Sequence, residues 1–373
     1  MKSTTIAPTR NYGIDALRVL SIFMVLALHI LGLGGIADRT TFPDPKFLTV
    51  WTFEALLYCV MNCYALITGY VMIQGKYRYT NLILLWLQVA LVSVLGTVIY
   101  YFLKPGDIDK LVILLSVFPV SRKSYWYFSC YFVLYLLIPF INRALHSLTR
   151  RQAKVLCILL VLGVSGVTTL MDRDPLNLGG GYSAMWLMTL YILGACIRKF
   201  GFGTKIKARY LLAGFALSTL LTVGAFILLR LEAFSVLLRI WRKSVLLMHS
   251  SPTVLFNAIA LLLLFTRLKF KRTWVIKIIR QLSPLSFGVY IMHAHSQISN
   301  FFFVDKPFAV FADYPIPLMI LAVLLSAAGM FVFFGAIERL RIWLFDALKL
   351  KKRLLALEEK YIGDLWANKE NKE

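Results

Sequence analysis

Residues 12–34 read YGIDALRVLSIFMVLALHILGLG, from Tyr12 to Gly34. After Ile14 the run is apolar except for Asp15, Arg18, Ser21 and His29. Its length, about 20 residues, is that of a helix crossing a hydrocarbon core. Similar windows recur along the chain, and ten spans are expected at 14–34, 50–73, 82–103, 125–141, 155–171, 183–198, 210–229, 244–266, 284–303 and 316–338. Of the 373 residues, 59% are apolar and 16% charged, against about 45–50% and about a quarter in soluble domains. This excludes a disordered chain and an ordinary soluble enzyme. Five cysteines exclude a disulfide scaffold. A net charge of +23 would suit a nucleic-acid partner on a polar domain, but here the basic residues punctuate apolar runs. No nucleic acid is expected. The chain reads as an all-α polytopic membrane protein of about ten transmembrane helices.

The short apolar stretch 108–120, with Pro119 and then Arg122 and Lys123, reads as a helix lying at one surface. The first run is interrupted by Arg18 and continues to Gly34, so it reads as a retained span rather than a cleaved signal. Ten spans put both termini on one side. That side carries 29 basic and 8 acidic residues, a net +21, and the other side a net +2. The asymmetry predicts cytoplasmic termini. The loop 230–243, with Arg230, Arg239, Arg242 and Lys243, is basic yet falls outside; it reads either as tolerated charge or as a surface facing an anionic polymer or headgroup. Residues 1–338 are expected to form one membrane domain. Residues 339–373 alternate basic and apolar side chains before a polar end, as in an amphipathic helix on the cytoplasmic leaflet. The two halves show no related repeat. Nothing in the sequence sets an oligomeric state.

Ionisable groups inside spans are costly and therefore candidates for function. They are Arg18, His29, His249, His293 and His295, with Asp15 and Glu54 near span ends. Arg18 and His29 are eleven residues apart, three turns plus about 20°, so they share a helix face about 16 Å apart. Two readings stand. Arg18 suits an anionic phosphate and His29 suits proton transfer. Equally, Arg18 can snorkel beside Asp15 while His29 hydrogen-bonds a neighbouring helix. Ser286 lies seven residues before His293, on nearly the same face. His295 and His249 read as structural positions, Glu54 as a solvated span end or the outer entrance for an acceptor, and Trp126 and Tyr127 as interfacial aromatics or a sugar-stacking platform. Cys59 and Cys63 have no ligand cluster around them, so no metal is expected.

Four stretches carry a resemblance. Tyr12-Gly-Ile-Asp-Ala-Leu-Arg18, ten residues, then His29 resembles the opening signature of the acyltransferase 3 family. Asn62-Cys-Tyr-Ala-Leu-Ile-Thr-Gly69-Tyr70 resembles its second-helix run. Tyr125-Trp126-Tyr-Phe with Tyr135-Leu-Leu-Ile-Pro139, and Leu285-Ser-Phe-Gly288-Val-Tyr290-Ile-Met-His293, resemble two later ones. Members are integral-membrane O-acyltransferases of surface and exported glycans in bacteria. The chain departs from the pattern at Asn62, where an acid is common, and in the loop after the second span, where Lys76 and Arg78 replace an Arg-x-x-Arg pair.

The resemblance implies a multi-pass protein of the bacterial cell membrane with no bound cofactor. It implies cytoplasmic acyl-CoA, acetyl-CoA in the first instance, as donor, and a glycan or lipid-linked glycan hydroxyl as acceptor. On this reading His29 is the general base, or a transient acyl carrier, and His293 orients His29 or polarises the carbonyl, or equally makes a structural hydrogen bond. Arg18, Lys76 and Arg78 would hold the donor phosphates. Asn62, Trp126, Tyr127, Ser286 and Tyr290 would contact the acceptor or support the site. The alternative is a transporter or flippase for a glycan precursor or small solute. The donor reading requires Arg18, Lys76 and Arg78 to cluster at the cytoplasmic mouth and point at a tunnel to His29; a transporter requires broken helices on two related halves, and a structural subunit of a polysaccharide assembly machine requires no tunnel.

Overall fold

The computed structural model describes residues 10–120, 125–171, 174–239, 244–304, 306–363 and 365. Among these no strand occurs. The helices are α1 (Tyr12–Leu31), α2 (Pro45–Leu57), α3 (Val60–Met72), α4 (Tyr79–Leu103), α5 (Lys110–Leu115), α6 (Trp126–Ser147), α7 (Arg150–Leu159), α8 (Val167–Leu170), α9 (Ala184–Phe200), α10 (Ala208–Leu228), α11 (Pro252–Phe265), α12 (Thr273–Leu282), α13 (Ser286–His293), α14 (Ser296–Ser299), α15 (Ile316–Ala347) and α16 (Leu350–Tyr361). Among the described residues eight stretches are long and apolar enough to cross a membrane. Three of them join two helices: α2 with α3, α12 with α13, and α7 with α8 through a wide turn at Leu160–Gly166.

Two expected spans are shorter. The sixth is the 17-residue α9, capped by the Ser183 side chain. The eighth, expected from residue 244, becomes helical only at Pro252. Residues 244–251 are turns, because Ser251 caps the helix and Pro252 occupies its first turn. The ninth shifts from 284–303 to Thr273–His293. Its first part, α12, carries Lys277 and Arg280 and looks like a loop to a hydropathy window. Its far end stops because the His295 ring caps α14 by accepting from Ile298 N at 3.4 Å. Helix α15 runs past residue 338 to Ala347. Of the outer basic loop, Arg242 and Lys243, with the Arg239 side chain, lie outside the described residues, as do Arg122 and Lys123.

Packing is closest between α3 and α9. A Cβ on Gly69 would sit 1.9 Å from the Tyr191 carbonyl oxygen, and one on Gly194 would sit 2.1 Å from that of Leu66. Small residues let membrane helices touch through their backbones. At one end the loops are tied together: Lys199 Nζ donates to Leu145 O and His146 O at 2.8 Å, Arg267 to Gly203 O at 2.9 Å, and Asn11 Nδ2 to Thr266 O at 3.0 Å. This is the basic end. The opposite end is held by Lys306–Asp38 at 2.8 Å and Arg39–Asp313 at 3.1 Å.

The tail closes on the basic end. Glu358 of α16 accepts from Tyr79 N and Thr80 N at 3.0 Å each and from Thr80 Oγ1 at 2.5 Å. The first N–H groups of a helix have no partner within it. A carboxylate from elsewhere in the chain satisfies those of α4 and suits the positive end of its dipole. Burial opposes ionisation of Glu358, but the hydrogen bonds from Thr80 and Tyr79 outweigh it and hold its carboxyl below the usual carboxylate range.

Candidate active site

Helices α1 and α13 bring His29 and His293 together. His293 Nε2 lies 3.1 Å from His29 Nδ1, and the ring centroids are 5.0 Å apart. His293 is fully buried, and its Nδ1 lies 2.8 Å from the Val289 carbonyl one turn back on α13. A carbonyl only accepts, so His293 Nδ1 carries the proton and donates it. Neutral His293 then has an acceptor at Nε2, which the Nδ1–H of His29 meets. These partners assign the tautomers and leave His29 Nε2 as an unprotonated nitrogen.

His29 lines a cavity of about 480 Å³ towards the end opposite the basic one. The volume lies within the usual range for a small-molecule site. Its wall is aromatic. Tyr58 stacks on His249 at 4.4 Å and 18°, Tyr182 packs 4.5 Å from Trp126, and Tyr290 lies 5.9 Å from His293. Glu54 enters the same cavity as a buried carboxylic group. The non-helical turn 244–251 supplies His249, and Gly181 makes room for it. At φ +106° Gly181 adopts a backbone that favours glycine, and a Cβ there would lie 2.6 Å from His249 Cβ. Ser250 N donates to Gly180 O at 3.2 Å across this approach.

A second cavity, of about 280 Å³, opens at the basic end around the start of the same helix. Arg10, Arg18 and Arg198 line it with Asp15, Tyr70 and Gln74. Buried Asp15 orders the group: Arg10 Nε lies 2.6 Å and Arg18 Nη1 3.1 Å from its carboxylate. Arg198 donates to Gln74 Oε1 at 2.9 Å and to the Tyr70 hydroxyl at 3.0 Å. Three guanidinium groups face one carboxylate, so the cavity has surplus positive charge.

Between the two cavities runs a ladder of rings. The Tyr64 hydroxyl donates to Arg18 O at 3.1 Å, and its ring lies 6.4 Å from Tyr127, which lies 5.9 Å from Tyr290. Tyr290 reaches His293, and His293 reaches His29. Among the described residues, the Tyr127 hydroxyl and the Ser286 and Ser21 hydroxyls are buried with no hydrogen-bond partner. Buried polar atoms are ordinarily satisfied, so such orphans call for an explanation.

The structure therefore brings His29, His293, Trp126 and Tyr290 to one place, with Tyr127 and Ser286 buried nearby along α6 and α13. Asn62 stands behind the wall. Its Nδ2 donates to His249 O at 2.7 Å, and its Oδ1 accepts from Trp186 Nε1 at 2.9 Å. Lys76 and Arg78 do not join Arg18. They line a separate cavity of about 160 Å³ with Glu358 and Glu359, where Arg78 pairs with Glu359 at 3.3 Å. Sequence reasoning missed Tyr58, Tyr182, Arg10 and Arg198; it read His249 as structural and Glu54 as a solvated span end or an acceptor entrance. Glu54 and His249 carried a signal, as ionisable groups at the end of a span and inside one. His295 is structural as read: its Nε2 lies 3.1 Å from Ser93 O, across from the bond to Ile298.

Membrane-length helices closed around a histidine pair, His293 buried and His29 lining a cavity, make this an integral-membrane protein with an internal polar site. The sequence matches the acyltransferase 3 family, described as an acyltransferase domain, over residues 11–338, nearly the whole chain. The chain belongs to that family. It is a multi-pass membrane acyltransferase, moving an acyl group from a donor to an acceptor. No curated protein and no solved structure matches it.

Proposed function

We propose that the protein transfers an acetyl group from acetyl-CoA to a hydroxyl of a cell-envelope or exported glycan at the bacterial plasma membrane, with His29 as general base. The observation that supports this most is the His293–His29 pair, which leaves His29 Nε2 free to take a proton beside the aromatic cavity. The donor enters from the basic end. Its phosphates meet Arg18, Arg10 and Arg198 rather than Lys76 and Arg78, since the first set lines the cavity at the start of the helix that carries His29 and the second lines a separate one with Glu358 and Glu359. Its pantetheine arm, of the same order as the ~16 Å between Arg18 and His29, runs past Ser21, Ser286 and Tyr127, whose unpartnered hydroxyls suit its amides.

The acceptor sugar rests against Trp126, Tyr58 and Tyr182. His29 Nε2 takes the proton of the attacking hydroxyl as its oxygen bonds to the thioester carbonyl carbon. The tetrahedral adduct then breaks its carbon–sulfur bond, and the departing thiolate recovers the proton from His29. The products are a sugar ester and free CoA. While His29 is charged, its Nδ1–H stays on His293 Nε2, which holds the ring in place. General-base help of this kind gives about 10²–10⁴-fold.

Purified protein incubated with acetyl-CoA and a panel of envelope glycans tests the reading. Glycan-dependent release of CoA, with an alkali-labile acetyl ester on the sugar, is expected. A different donor accepted in preference to any acyl-CoA would overturn it.

A further inference from the structure

A cavity larger than either of those at the site has no part in the chemistry above. It is an open groove of about 930 Å³ on the flank of α7, facing away from the bundle. Arg150, Arg151 and Lys154 stand at its head, at the basic end, and Ile158, Val161 and Leu162 form its wall. Positions 150, 154, 158 and 161 recur at helical spacing, so cations and apolar residues share one face. Phe202 closes the other side and lies 5.3 Å from the Arg150 guanidinium. Arg150 also donates to Phe200 O, which fixes its position. Among the described residues Arg151 and Lys154 form no ion pair, and residues 142–171 contain no acid.

Length identifies the occupant. From Arg150 to Leu162 the helix rises about 18 Å. Half of a hydrocarbon core is about 15 Å, so the groove spans one headgroup level and one leaflet. The wide turn at Leu160–Gly166 lies where the groove ends. A soluble anion would use the cations but not the apolar wall, whose Leu162 is 63% exposed.

We propose that this groove is a specific site for one anionic glycerophospholipid of the leaflet at the basic end. Arg151 and Lys154 bind the phosphate and the acyl chains lie along Ile158, Val161 and Leu162.

The test is native mass spectrometry of the full-length protein after incubation with equal amounts of phosphatidylglycerol and phosphatidylcholine. The wild type should retain one phosphatidylglycerol in preference by about tenfold or more, given two cations near the headgroup. The double variant Arg151→Gln, Lys154→Gln should lose that preference. Leu162→Trp, which fills the apolar wall and keeps the charges, should lower occupancy as well. Excess glycerol 1-phosphate should displace nothing. Equal retention of the two lipids by the wild type would overturn the proposal. So would unchanged retention in either variant, displacement by glycerol 1-phosphate, or a lipid-free dimer mass, which would assign the groove to a second copy of the chain.

Discussion

His293 donates from Nδ1 to Val289 O and presents Nε2 to His29 Nδ1 at 3.1 Å. Two residues 264 apart in the chain thus form one directed relay, and the direction follows from a carbonyl that can only accept. His29 is the ring that faces the cavity, and under the proposed mechanism His293 is a positioning residue.

The relay predicts an asymmetry between variants. His293→Ala should lower kcat about 10²-fold with KM for either substrate nearly unchanged. His293→Gln should recover part of the loss, because an amide oxygen can accept the His29 Nδ1–H. Steady-state kinetics of the three proteins checks this. Equal losses in both variants would mean that His293 only fills space.

The arginine cavity predicts a donor effect. Arg18→Gln or Arg198→Gln should raise donor KM at least about tenfold, the worth of a hydrogen bond between charged groups. Arg78→Gln, whose side chain faces Glu359 instead, should leave donor KM unchanged. Donor titrations at fixed acceptor decide between the two sets.

Asn62 predicts a stability effect with a functional echo. Asn62→Ala removes the bond to His249 O and leaves Trp186 Nε1 unpaired in the core. A loss of about 1–3 kcal/mol is expected. It should be read from thermal unfolding in detergent, with a raised acceptor KM as the His249 wall loosens.

Glu358 predicts a pH response of the tail. Its pKa lies below the usual 4.5. A depressed acid contributes stability that is complete above its unfolded value and is lost as pH falls through the folded one. Docking of α16 should therefore persist at pH 4.5 and fail only below it, while Glu358→Gln should weaken it already at neutral pH. Hydrogen exchange of Leu350–Tyr361 measures both.

Much of this was legible in the chain. Apolar runs near 20 residues mark the spans because hydrocarbon demands them, and the eleven-residue spacing put Arg18 and His29 on one face. The wall of the cavity was not legible. His249 and Tyr182 reach it from non-helical turns whose positions depend on Gly181 and on Asn62, a contact 187 residues away in sequence. Nor did the spacing show that α16 would cap α4 and occupy the neighbourhood of Lys76 and Arg78. Both are tertiary events that no local period encodes. The amphipathic α12 was hidden for another reason: its basic face lowers mean hydropathy below that of a span.

The central claim is that His29 takes the proton of the acceptor hydroxyl. Single-turnover transfer from labelled acetyl-CoA, compared between wild type and His29→Ala at saturating glycan, tests it most directly. The account predicts that the variant still binds donor with unchanged affinity but forms the sugar ester at least about 10²-fold more slowly. Equal rates of ester formation in the two proteins would contradict it.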